Sequence, residues 1–354
     1  MRTLEEARRL LPRLCRRARL PLAFALLPLT VAAPLLAEPA PDFYRGRTLT
    51  LVSGFTPNGE NDAYLRHLGR HIDRFIPGNP AVVPRNMPGG GTLVAANHMY
   101  KAAASDGTVM GMFLSQAAVE PFLGNKAALF DPLKFGWIGS LALEPQFCAI
   151  APGPGVPETF DDLLEKETVF GTSAPTSDIY RFTAVIKNVL GAKIRMVSGY
   201  PGMPGVTLAL QRGEVSGACG FTATALRTRL APALMSGEMK LVVQLGGAPT
   251  SEFGKVANAI DYARTDDTRE LLNYFFEALR LGRLIAVPPS VPNERLHTLR
   301  TAFASVLKDP TFLTEANKMN LVIDSASPAD LQTQMERLSK YPQAFFEKVQ
   351  KAHQ

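Results

Sequence analysis

The sequence has few of the residues that redox chemistry, catalysis or nucleic-acid binding would need. It contains three cysteines and one tryptophan in 354 residues. It has no Gly-x-Ser-x-Gly nucleophile elbow, no Walker loop, and no Gly-x-Gly-x-x-Gly in a dinucleotide-binding context. These absences exclude the commonest hydrolase, nucleotidase and dehydrogenase motifs. We therefore expect no catalytic residue, no cofactor and no enzymatic activity.

The excess of positive over negative charge is small after the first 37 residues. Seven arginines and two glutamates precede an uncharged apolar run at residues 20–36, and Ala37 offers a small residue for cleavage. This order is typical of a secretory signal peptide, which we assign to residues 1–37. The remaining chain is close to neutral, at about +1, and has no dense Lys/Arg run. We therefore expect no nucleic-acid partner.

Two cysteines remain after the predicted cleavage, Cys148 and Cys219. In an oxidising compartment they form a disulfide or stay as two buried thiols, and their spacing does not decide between these states. The mature length of about 317 residues favours two domains over one.

The order of periodic segments predicts an α/β protein in which the alternation of strands and helices occurs in two separate parts of the chain. Residues 48–55, 81–85 and 108–114 have the composition of buried strands, and helical spacing follows each of the first two. After a long extended segment at 135–150, strands and helices alternate again from residue 169. Parallel sheets with right-handed crossovers are expected from such alternation. Two lobes joined by crossing segments would form a hinged clamp with a ligand in its cleft.

Two glycine turns stand between a predicted strand and a predicted helix in the first half. One is Thr-Pro-Asn-Gly-Glu-Asn-Asp at 56–62, and the other is Asn-Met-Pro-Gly-Gly-Gly-Thr at 86–92. Such turns direct several backbone N–H groups outward, and a helix N-terminus adds unpaired N–H groups and positive potential. This arrangement holds an anion without a cationic side chain. The sequence therefore predicts capture of a small carboxylate.

Further turns occur in a fixed order along the chain: Ala-Ala-Ser-Asp-Gly at 103–107, Gly-Thr-Ser-Ala-Pro-Thr-Ser at 171–177, Tyr-Pro-Gly at 200–202 and Arg-Gly-Glu-Val at 212–215. Together with the first two turns, this order resembles the periplasmic receptors of tripartite tricarboxylate transporters, also called Bug-type receptors. The resemblance extends over residues 44–351.

The resemblance implies a two-lobed type II periplasmic-binding-protein fold with two crossing hinge segments. Lobe one would comprise residues 38–141 and 263–354, and lobe two residues 142–262. The implied function is a monomeric receptor in the periplasm that carries a small carboxylate to the permease subunits of a tripartite tricarboxylate transporter. Alternatives are a ligand sensor for a membrane kinase and a periplasmic enzyme on the same fold.

Ligand-binding residues are expected in the turns of both lobes. The expected set is Thr56, Pro57, Asn58, Gly59, Glu60, Asp62, Gly89, Gly90, Gly91, Thr92, Ser115, Gly171, Thr172, Ser173, Ser177, Tyr200 and Gly202.

Two features have competing interpretations. Glu60, beside the first turn, either stabilises a helix N-terminus or faces the cleft. In the cleft it would disfavour a second ligand carboxylate and favour an amino or hydroxyl group. His67 and His71 have the spacing of a metal pair, but Arg70 lies between them and we expect a solvated helix face without metal.

Overall fold

The computed structural model describes residues 43–246, 250, 252–279 and 281–353. The predicted signal peptide at residues 1–37 lies outside this part of the chain. Among the described residues, no helix combines the length and apolar character needed to cross a bilayer.

The described residues alternate strands and helices, and a group of helices closes the chain. The strands are β1 Thr48–Ser53, β2 Ala81–Asn86, β3 Val109–Leu114, β4 Gly136–Ser140, β5 Gln146–Ile150, β6 Thr168–Gly171, β7 Ile194–Val197, β8 Gly217–Thr222, β9 Lys240–Leu245, β10 Ala257–Asn258 and β11 Arg283–Val287. The α-helices are α1 Glu60–Gly69, α2 Leu93–Lys101, α3 Ser115–Val119, α4 Phe160–Glu165, α5 Asp178–Leu190, α6 Gly202–Gln211, α7 Ala223–Arg227, α8 Ala231–Ser236, α9 Asp266–Leu279, α10 Asn293–Val306, α11 Pro310–Lys318, α12 Pro328–Ser339 and α13 Gln343–Ala352.

The first sheet has the strand order β2-β1-β3-β11-β4. β1 is parallel to β2 and β3, whereas β11 is antiparallel to β3 and β4. Every residue of β11 is buried, as expected of a strand covered on both faces. β2 lies at the edge, where Pro84 is tolerated because an edge strand leaves some N–H groups outside the ladder.

The second sheet has the order β10-β9-β5-β8-β6-β7. β5 runs antiparallel to β8 and β9, and β6 runs parallel to β7 and β8. We call the elements around the first sheet lobe one and those around the second sheet lobe two. The chain first passes between the sheets from Ser140 to Gln146 and returns between Asn258 and Arg283.

Cys148 and Cys219 form a disulfide between the adjacent strands β5 and β8. Both are fully buried in the second sheet. The structure therefore selects the paired state from the two that the sequence left open.

Three local features differ from what the sequence pattern indicates. Asn61 and Asp62 precede the helical spacing of residues 65–75 and are N-cap residue types, but the cap of α1 is Gly59. The apolar spacing at 328–351 indicates one helix, but the structure has two, because Pro342, without an N–H group, cannot continue α12 and is the cap of α13. Helix α9 was not predicted. It lies in the segment that returns from the second sheet to the first, and its buried residues include Leu272, Phe275 and Phe276.

Candidate functional site

A cavity of ≈ 430 Å³ lies between the two lobes. Its wall is formed by the segments that follow the carboxyl ends of three strands in each sheet: β1, β2 and β3 in lobe one, and β6, β7 and β8 in lobe two. The carboxyl ends of strands in open α/β sheets are the usual place for ligands, because the following helices begin there.

Four helices of nine residues or more begin at this cavity, two from each lobe. Their N-cap residues all line the wall: Gly59 of α1, Thr92 of α2, Ser177 of α5 and Pro201 of α6. Only Ser177 caps its helix with a side chain, by accepting the N–H of Tyr180. The other three helices have no side-chain cap. In α2 and α6 the first N–H groups bond to carbonyl oxygens of the preceding turns, Leu93 to Gly90 and Gly202 to Tyr200, which leaves the first turn of α1 to offer its N–H groups to an anion.

The glycine turn at residues 89–92 keeps an unusual backbone. All four residues have positive φ angles, from 56° at Gly90 to 140° at Gly89, and they include the β-branched Thr92 at 75°. Thr92 is held there because its Oγ1 accepts the N–H of Leu114 at 3.0 Å. Backbone strain of this kind persists only where the surroundings enforce it, and it is concentrated at functional sites.

Gly91 brings the two lobes together at the wall of the cavity. A Cβ atom at this position would lie 2.5 Å from the carbonyl oxygen of Thr176 in lobe two. A side chain would therefore separate the lobes or displace the turn.

Glu60 lies on the cavity wall and belongs to an ion network. Arg283 donates from Nη2 to Glu60 at 2.5 Å and from Nη1 to Glu144 at 2.7 Å. Thr222 of lobe two donates its hydroxyl proton to the Glu60 carboxylate at 3.0 Å. The Glu144 carboxylate accepts the N–H of Thr224, so both acids connect lobe one, the crossing segments and lobe two.

The ion network alters the charge that Glu60 presents to the cavity. Burial raises the pKa of Glu60, and the adjacent Arg283 opposes that rise. The carboxylate faces the cavity, which is one of the two interpretations that the sequence left open. The guanidinium of Arg283 offsets its charge, and nothing in the sequence indicated that pairing.

Two other charged residues line the cavity, and sequence reasoning missed both. Asp178 is the first residue of α5, and burial raises the pKa of its carboxyl. Arg229 follows α7 and is exposed to the cavity. It forms no hydrogen bond or ion pair with any residue that the structure describes, apart from its longer-range attraction to Glu60. Asp178 could have been noticed as an acid at a helix start, whereas Arg229 has no local sequence motif.

Many of the expected site residues meet at this cavity. Those on its wall are Thr56, Gly59, Glu60, Gly89, Gly91, Thr92, Ser173, Ser177, Tyr200 and Gly202. The remainder lie off the wall: Pro57, Asn58, Asp62, Gly90, Ser115, Gly171 and Thr172.

The residues off the wall shape the turns. Asp62 is fully buried and accepts hydrogen bonds from the backbone N–H of Asn58 at 3.1 Å, from Arg66 at 2.6 Å and from Asn86 at 2.6 Å. It therefore joins the turn after β1 to the end of β2. Thr172, also buried, exchanges a hydrogen bond with Ser198 at 2.9 Å between the ends of β6 and β7.

His67 and His71 do not lie on a solvated face, so that prediction was wrong. Both are buried against α11, where His67 bonds to the carbonyl oxygen of Phe312 and His71 to Glu315. Arg70 and Arg74 each approach the Nδ1 of one histidine, at 3.0 and 2.8 Å. Because a guanidinium can only donate, each Nδ1 must accept, and each ring is neutral with its proton on Nε2.

The two histidines and Glu315 form the one group of possible metal ligands found in the described part of the chain. All four ring nitrogens already have protein partners, and two guanidinium groups lie beside them. The group is better suited to fixing α1 against α11 than to holding a cation.

Comparison with known proteins gives the class of the fold. No protein-family profile matches the chain, and no curated protein matches it. Solved structures do match over 87% of its length, and they show that it has the two-lobed α/β fold of periplasmic binding proteins.

Three of these structures illustrate the likeness. The periplasmic binding protein BugD has 17% identity, a TM-score of 0.67 and 98% of its own chain covered. An R. palustris protein solved with adipate has 20% identity, a TM-score of 0.66 and 97% covered. MatC from Rhodopseudomonas palustris, solved with bound malate, has 17% identity, a TM-score of 0.63 and 99% covered.

Proposed function

We propose that this chain is a periplasmic receptor of the tripartite tricarboxylate transporter type. It captures a small carboxylate in the cavity between its lobes and delivers it to the permease subunits in the membrane. The observation that carries the proposal is the cavity wall, where α1, α2 and α6 begin without side-chain caps and Arg229 has no protein counterion within bonding distance among the described residues.

The wall has the chemistry that a carboxylate requires. Unpaired N–H groups of helix N-termini and a guanidinium both donate to oxygen, and charge-assisted hydrogen bonds of this kind contribute about 1.5–3 kcal/mol each. Apolar residues such as Met203, Ile179 and Leu114 complete the wall and suit a short carbon skeleton. Adipate and malate in two of the matching structures are small acids of this kind.

A thermal-shift panel of mono-, di- and tricarboxylates, amino acids and aromatic acids tests the proposal. At a hundred times its dissociation constant, a bound acid stabilises the protein by about 2.7 kcal/mol, which is an easily measured change in Tm. We expect at least one acid to raise Tm and to be recovered unchanged, as NMR of the supernatant would show.

Arg229→Gln provides the site-specific comparison, because the residue is exposed and its replacement removes no described hydrogen bond. It should lower the affinity for that acid about 10- to 100-fold without changing Tm in the absence of ligand. A panel without any shift would contradict the proposal, and consumption of the acid would indicate an enzyme.

A further inference from the structure

Asp178 is an acid without a protein counterion at the wall of the cavity. Its Oδ1 accepts the N–H of Ile179 at 2.9 Å, inside its own helix. No lysine, arginine or histidine in the described part of the chain lies within 4.0 Å of its carboxylate oxygens. Arg181 and Arg283 act on it only at longer range.

Glu60, the other acid on the wall, is already engaged. Both of its oxygens accept from Thr222, and Oε1 also accepts from Arg283. Asp178 is therefore the carboxylate on this wall that a ligand cation can approach without displacing a protein partner.

The charges around the cavity do not suit a polyanion. Glu60, Asp178 and Arg229 line it, and Glu144 and Arg283 stand directly behind. With every group ionised, these five residues have three negative and two positive charges. A tricarboxylate would bring three more negative charges to a wall that already has an excess of one.

We propose that the cavity binds a zwitterionic acid, with its carboxylate held by Arg229 and the uncapped helix N-termini and its ammonium group held by Asp178. This inference rests on the proposed function and adds to it the chemical class of the ligand. The carboxylate of a zwitterion pairs with Arg229 and its ammonium group pairs with Asp178, so both unpaired groups of the wall gain a partner.

The desolvated state of Asp178 supports this assignment. Asp178 is half-buried at the cavity wall, and burial raises the pKa of its carboxyl, although Arg181 and Arg283 oppose that rise at longer range. An ammonium group delivered by the ligand supplies the missing counterion.

Matched pairs of acids that differ only in an amine test the inference by calorimetry: aspartate with succinate, glutamate with glutarate, and 4-aminobutyrate with butyrate. We expect the amine-bearing acid to bind at least tenfold more tightly in each pair for which binding is detected. Equal or tighter binding of the amine-free acids would overturn the inference and leave the carboxylate receptor standing. Absence of binding by every acid would contradict both.

Two variants locate the effect. Asp178→Asn keeps the size of the side chain and removes its charge, so it should abolish the preference for the amine while binding of an amine-free acid is unchanged or improved. Glu238→Gln makes the same carboxylate-to-amide change at an exposed position away from the cavity, and it should alter nothing.

Folding of Asp178→Asn is checked by Tm in the absence of ligand. It should stay close to the wild-type value, because the amide has the size of the carboxylate and its oxygen can still accept the N–H of Ile179. An amine preference that survives in a folded Asp178→Asn protein would assign the ammonium site elsewhere and overturn the inference.

Discussion

At the scale of single residues, the cavity owes its character to a few charged groups that are far apart in the sequence. Glu60 was visible because it follows a glycine turn, but its counterion Arg283 comes 223 positions later. Asp178 begins a helix and Arg229 has no local motif, and only the packing of two lobes brings them to one wall. Local patterns predicted the turns, whereas pairing between distant charges could not be predicted.

The pH dependence of binding follows from Asp178. An ammonium group binds the carboxylate form, so affinity for an amine-bearing acid must fall as pH decreases and Asp178 takes up a proton. Because burial raises its pKa, the loss should begin above the ordinary aspartate value of about 4. Calorimetry from about pH 8 to about pH 5 would follow the change, since the ligand amine stays protonated throughout.

Glu60 also faces the cavity with a raised pKa, while Glu144, Arg181, Arg229 and Arg283 supply the other nearby charges. Asp178→Asn separates the two acids, and most of the pH dependence should be lost in this variant. An affinity that does not change over the range in the wild type would contradict the role given to Asp178.

At the scale of elements, the glycine turn after β2 was predictable because three successive glycines disfavour helix and strand and permit the positive φ angles of a tight turn. The sequence could not show what the turn contacts. Gly91 approaches the Thr176 carbonyl of lobe two, and Thr92 accepts from Leu114 of the neighbouring strand. These contacts depend on topology, as does the burial of His67 and His71 against α11.

Gly91→Ala tests the contact between the lobes. The new Cβ would lie 2.5 Å from the Thr176 carbonyl oxygen, so we expect binding of an acid identified by thermal shift to weaken at least tenfold. The measurement is calorimetry with wild type and variant side by side.

Gly46→Ala is the matched control. Gly46 has φ of 68°, close to the 60° of Gly91, but a Cβ there would meet nothing within 4 Å. Both variants should lose about 1–2 kcal/mol of stability from left-handed backbone strain, and only Gly91→Ala should lose affinity. Equal affinities in the two variants would show that the approach of Gly91 to lobe two is unimportant for binding.

At the scale of the whole molecule, the lobes are joined by several contacts of different kinds. Glu60 of α1 accepts from Thr222, Gly91 packs against Thr176, and a buried ion pair links Glu120 to Arg181 of α5. The alternating pattern of the sequence predicted the α/β class and the two-lobed fold, because periodicity and glycine turns are local. The helix break at Pro342 has a local cause, a residue without an N–H group, whereas the return helix α9 depends on packing; neither was predicted.

The two lobes contact each other beside the cavity in the described arrangement, and we propose that a bound small acid stabilises this arrangement against a more open one. Closure can be favoured only by the excess affinity of the ligand for the closed state. We propose that the hinge lies in the two segments where the chain passes between the sheets, at residues 140–146 and after Asn258.

Small-angle scattering of the protein with and without the acid that gives the largest thermal shift is the most direct test. We expect the radius of gyration to decrease at saturation and the scattering to fit the arrangement of the two lobes described here. A radius unchanged by a saturating acid, with a ligand-free curve that already fits this structure, would contradict a receptor that closes on its ligand.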